Sequence, residues 1–88
     1  MYSKEVIVEI KTGLHARPAS TFVKTASEFK SDIVITKNLK KANAKSIMAV
    51  LSLGVSMGSS ITITAEGSDE EAAVTALCNL INTKFGEE

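Results

Sequence analysis

Residues 61–81 read Ile-Thr-Ile-Thr-Ala-Glu-Gly-Ser-Asp-Glu-Glu-Ala-Ala-Val-Thr-Ala-Leu-Cys-Asn-Leu-Ile, and within them the hydrophobic period changes from two to nearly four. Ile61 to Ala65 alternate apolar and polar side chains, which predicts a half-buried strand with the threonines facing away from Ile61 and Ile63. Gly67 ends it. Ser68 with Glu71 three residues later predicts a capped helix start, and the acids at 69–71 suit the positive end of the helix dipole. Val74, Leu77, Ile81 and Phe85 then make one helical stripe. A strand buried on one face, followed at once by a helix buried on one face, describes a sheet with helices on a single side.

The same two patterns recur upstream. Ser46-Ile-Met-Ala-Val-Leu-Ser-Leu-Gly54 predicts a two-turn helix opened by a good cap residue and closed by a glycine. Asp32-Ile-Val-Ile-Thr36 is a β-branched strand, and after the turn Lys37-Asn38-Leu39-Lys40 a weaker strand over Lys40 to Ala42 completes a hairpin. Ala19, Phe22, Val23, Ala26 and Phe29 mark a helix from about Ala16 to Phe29, set off from the first strand by Thr12 and Gly13. In that strand, Glu5 to Ile10, Val6, Val8 and Ile10 share one face. The order βαββαβα has no linker or repeat, so the expectation is one domain over residues 1–88. It is an α+β open-faced sandwich, a four-stranded antiparallel sheet with three helices on one face and the other face solvated.

Ten basic and ten acidic side chains balance to zero net charge, so no overall field would draw the chain to nucleic acid or an anionic membrane. The single cysteine excludes an internal disulfide and a cysteine-cluster metal site, and Cys78 beside the Leu77 and Ile81 stripe reads as a small core residue. Charges interrupt MYSKEVIVEIKTG, which is neither a signal-peptide core nor a membrane span; a cytoplasmic location is expected.

The only histidine, His15, stands directly before the first helix. A helix start exposes unpaired amides and positive dipole, so the Ala16 and Arg17 N–H groups are candidates for holding a phosphate, and Pro18 is tolerated in that first turn. The Arg17 guanidinium can pair with phosphate oxygens on its neighbour. By itself a lone His beside a lone Arg is better read as an ordinary surface cap and a solvated charge.

The wider strings decide otherwise. Gly13-Leu-His-Ala-Arg-Pro-Ala19 together with Lys45-Ser-Ile-Met-Ala-Val-Leu-Ser-Leu-Gly54 resemble the active-centre and regulatory-site motifs of HPr, the histidine-containing phosphocarrier family of the bacterial sugar phosphotransferase system, in its Gram-positive form. The likeness runs from Val6 to Phe85. It implies that His15 accepts a phosphoryl group on Nδ1 from phospho-enzyme I and passes it to sugar-specific EIIA components, assisted by Arg17. It implies a regulatory phosphorylation of Ser46 by HPr kinase/phosphorylase, and contact with a catabolite-control transcription regulator. The chain would be a protein substrate rather than an enzyme, a monomer without cofactor or metal, and without nucleic-acid or membrane partners. The family's docking patch maps to Ser20, Thr21 and Lys24 with Ile47, Met48 and Leu51; on spacing alone, Ile47, Met48 and Leu51 read equally well as core. Regulatory paralogues in the family keep the seryl site and lose the acceptor histidine.

Two positions depart from many relatives. Leu39 stands where glycine commonly follows the turn asparagine, which argues against a tight turn needing positive φ. Ala49 replaces a helix glycine and favours the short helix by up to about 1 kcal/mol if exposed.

Overall fold

Alternating burial along the strands and one buried stripe per helix require the helices to close over one face of the sheet. A computed structural model describes residues 1–11 and 13–83. The elements are β1 (Tyr2–Ile7), α1 (Ala16–Ser27), β2 (Asp32–Lys37), β3 (Lys40–Asn43), α2 (Ile47–Ser52), β4 (Ser60–Glu66) and α3 (Glu70–Asn82). The strands form one sheet in the order β1-β4-β2-β3, every neighbouring pair antiparallel. Ile33, Ile35, Ile61 and Ile63 point from the sheet into a core shared with Phe22, Val50, Leu77 and Ile81. On the other face, the register sets Ser3, Thr64, Val34 and Asn43 in one row and Glu5, Thr62, Thr36 and Lys41 in the next. The βαββαβα open-faced sandwich is therefore the architecture.

Three boundaries differ from expectation. The first strand is Tyr2–Ile7, not Glu5 to Ile10, because its pairing with β4 runs from Tyr2 opposite Ala65 to Ile7 opposite Ser60. Beyond it Val8 still exchanges backbone bonds with Ser59 and Gly58, at 2.9 and 2.7 Å, and both Val8 and Ile10 are buried. The alternation reported burial correctly, while Ser3 and Lys4 gave no apolar signal for the strand they occupy. α1 stops at Ser27, where Glu28 and Phe29 donate to the carbonyls three residues back and tighten the final turn; Phe29 lies outside the helix, half-buried. The third helix is capped one residue later than predicted, by Asp69 rather than Ser68, and Glu70 closes back on the Gly67 N–H at 3.1 Å. Phe85 and Thr12 fall outside the described residues.

The hairpin turn is tight despite Leu39. Lys37 pairs with Lys40 across a two-residue loop in which Asn38 takes the positive φ of 57°, a conformation asparagine tolerates, and Leu39 stands fully in solvent.

The Asp69 side chain makes no cap bond with its own helix. Its carboxylate accepts the Lys30 N–H at 2.8 Å, the Ser31 N–H at 3.0 Å and the buried Ser31 hydroxyl, tying the α1–β2 loop to the start of α3. The Ser31 hydroxyl, then the Lys30 amide, hold this carboxyl below its ordinary value. A depressed folded pKa contributes stability that is complete above the unfolded value and is lost as pH falls through the folded one. Asp69→Asn is therefore expected to be less stable than wild type at pH 7, with the gap narrowing below about pH 4. Urea midpoints measured from pH 7 to pH 2 check this; a constant gap would mean that Asp69 acts through shape and not charge.

Candidate functional site

The segment before α1 is pinned on both sides. Gly13, at φ +66°, donates to the Ile10 carbonyl at 3.0 Å, and buried Leu14 donates to the Val55 carbonyl at 3.0 Å. Only glycine fits at 13, since a Cβ there would run into the Val55 carbonyl oxygen and lie 2.7 Å from Ser56 Cα. The next residue, His15, has extended backbone (φ −85°, ψ −168°) and an exposed side chain that makes no cap bond. Its carbonyl receives the Ala19 N–H at 2.9 Å, the first regular helical bond, so the amides of Ala16 and Arg17 lie ahead of the helical ladder. No acid stands in the first turn to compete for them.

His15 thus occupies the predicted N-cap position, with an uncapped imidazole at the positive end of a twelve-residue helix. Arg17 is exposed in the same turn, and Pro18 is buried. An imidazole so placed can act as a nucleophile toward a reactant brought from outside, with dipole and guanidinium available to an anion formed on it. Among the described residues no group of three His, Cys, Asp or Glu side chains is gathered as a metal site.

Ser46 caps α2. Its Oγ accepts the Ala49 N–H at 3.3 Å, and its carbonyl accepts the Val50 N–H at 3.0 Å. α2 packs on α1, which brings the two halves of the predicted patch to neighbouring helices. Ser20, Thr21 and Lys24 are exposed on α1. Of the apolar residues on α2 only Met48 stands free, 75% exposed; Ile47 and Leu51 are half-buried against the core. Cys78 is buried, and burial pushes its thiol pKa up, with the Lys4 charge partly opposing.

Sequence reasoning missed the turn at residues 53–56 that braces Leu14, the Lys37 ammonium bonded to the Gly54 carbonyl of that turn, and Met57, which is 60% exposed. None has a local signal, because each depends on contacts between distant segments.

A family model described as the PTS HPr component phosphorylation site matches residues 2–83. The chain belongs to the HPr family. The HPr-like protein Crh of Halalkalibacterium halodurans is 52% identical over 81 residues, 92% of this chain and 96% of that protein. Among solved structures, HPr-C-His from Thermoanaerobacter tengcongensis superposes with a TM-score of 0.97 at 56% identity, covering 100% of this chain and 99% of the other. An HPr dimer from the same organism gives 0.80 at 59% identity, covering 96% and 99%. HPr-type proteins are phosphocarriers of the phosphotransferase system, and no helix among the described residues is long and apolar enough to cross a membrane.

Proposed function

We propose that this HPr-family chain, acting as a single domain, is a phosphocarrier that accepts a phosphoryl group on His15 Nδ1 from phospho-enzyme I and delivers it to EIIA components in phosphoenolpyruvate-dependent sugar uptake. The observation that carries the reading is His15 itself: an exposed, uncapped imidazole at the start of α1, inside an intact Gly13-Leu-His-Ala-Arg-Pro18 string. A neutral imidazole is nucleophilic near pH 7, and its phosphoramidate stays reactive, which a relay requires. The Ala16 and Arg17 amides and the Arg17 guanidinium would stabilise the added charge. Catalysis of each transfer belongs to the partner, so the chain serves as a protein substrate in the cytoplasm. We propose the monomer as the acting unit.

Incubation with enzyme I and phosphoenolpyruvate tests the reading. One acid-labile, base-stable phosphate per chain supports it, and an unlabelled chain refutes it. Similarity to Crh favours a second reading, a regulator working through Ser46 without relaying phosphate, and the same assay separates the two.

Ser46 is proposed as a regulatory site for HPr kinase/phosphorylase, with a catabolite-control transcription regulator as reader. A phosphate there adds about −1.5 to −2 charge next to Met48, at the edge of the patch formed with Ser20, Thr21, Lys24, Ile47 and Leu51. It would hinder docking of enzyme I by desolvation and repulsion while leaving imidazole chemistry intact. Ser46→Asp is accordingly expected to raise KM for enzyme I with kcat and melting temperature little changed; wild-type KM in this variant and in authentic phosphoserine protein would remove the switch.

A further inference from the structure

We propose that Lys37 is a positioning residue for His15, clamping from the β2 side the turn against which the His15 loop is braced. The proposal rests on the carrier reading of His15. α2 ends at Ser52, and its last turn is closed by the Leu53 N–H on the Val50 carbonyl and the Gly54 N–H on the Leu51 carbonyl, both at 3.2 Å. No basic residue of its own stands in that turn. The next carbonyls are met from outside. Lys37 Nζ donates to the Gly54 carbonyl at 2.7 Å and reaches the Leu53 carbonyl at 3.4 Å. The carbonyl after these, Val55, receives the Leu14 N–H at 3.0 Å.

Three consecutive carbonyls are thus engaged, two by the Lys37 ammonium and the third by the residue preceding His15. The turn needs such a clamp. Gly54 sits at φ +64° with open space where a side chain would be, so its own packing restrains it little. Lys37 is well fixed to supply it: the last residue of β2, backbone-paired with Lys40 and half-buried. A cation at the carbonyl end of a helix is also favoured by the dipole.

The consequence falls on transfer rather than on docking. If the 53–55 turn loosens, the Val55 acceptor for Leu14 moves, and the imidazole one residue later loses the fixed angle at which it meets a phosphoryl donor; displacements near 1 Å are costly in such steps. The docking residues on α1 and α2 are other side chains. Lys37→Met keeps the aliphatic stem and removes the ammonium, and Lys37→Arg restores a donor cation. In Lys37→Met, hydrogen exchange at the Leu14 amide is expected to be about two- to fivefold faster, and kcat for phosphorylation by phospho-enzyme I lower by a similar factor with KM unchanged. Lys37→Arg should recover both.

Wild-type exchange at Leu14 in Lys37→Met overturns the proposal, as does a rise in KM with kcat intact, which would place Lys37 in the partner interface. Should the wild-type chain take no phosphate from enzyme I, the carrier reading fails, and the Leu14 exchange rate alone then decides whether Lys37 holds the loop.

Discussion

His15→Ala is expected to carry no phosphate when incubated with enzyme I and phosphoenolpyruvate, under conditions in which the wild-type chain is fully labelled. The chain has one histidine, so a phosphoramidate has no second imidazole to form on. A phosphate at Ser46 would be an ester that survives acid, so treating the labelled protein with acid distinguishes the two sites. The loss should be chemical and not structural. The His15 side chain is exposed and makes no cap bond, so its removal leaves stability within about 0.5 kcal/mol. Acid-labile label persisting in His15→Ala of unchanged melting temperature would sink the assignment of the acceptor.

Gly13→Ala is expected to cost about 2–4 kcal/mol of stability and to slow phosphorylation of whatever remains folded. Two effects combine. An L-residue at φ +66° carries roughly 1–2 kcal/mol of backbone strain. In addition its Cβ would meet backbone, the Val55 carbonyl and Ser56 Cα, which cannot rotate aside as a flexible side chain could. Relief requires the loop to lift off the 53–56 turn, which breaks the Leu14 to Val55 bond and moves His15 with it. Gly54→Ala is the internal control. Its φ is similar, +64°, but nothing lies within 4 Å of the new methyl, so only the strain of about 1–2 kcal/mol applies. Urea titration of the two variants tests the contrast, and equal losses would show that close approach at Gly13 contributes nothing.

Period and punctuation made most elements legible. The alternation at Ile61 to Ala65, the stripe from Ala19 to Ala26 and the Ser46 cap each specify a local structure that side-chain burial then enforces. Boundaries were less legible where hydrogen bonding and hydrophobicity part company. Val8 is buried but lies past the strand, and Ser3 is polar but lies within it. The α3 cap slipped by one residue because Asp69 is engaged by a loop 38 residues earlier, a partner no local motif can announce. Leu39 misled for a related reason: the turn needs positive φ at Asn38 alone.

By itself the sequence determined the element order, the single covered face of the sheet and the place of His15 at a helix start, because each follows from interactions within a few residues. It also carried the two motifs that mark the family. The strand order β1-β4-β2-β3 was decided only by the tertiary structure, since it depends on which long-range pairing buries the apolar faces together. The same is true of what holds the site. The Val55 carbonyl and the Ser56 backbone meet the His15 loop, and the Lys37 ammonium meets the 53–55 turn, from segments far apart in the sequence. Their contribution lies in distances between segments, and spacing along a chain does not encode those until the core has closed.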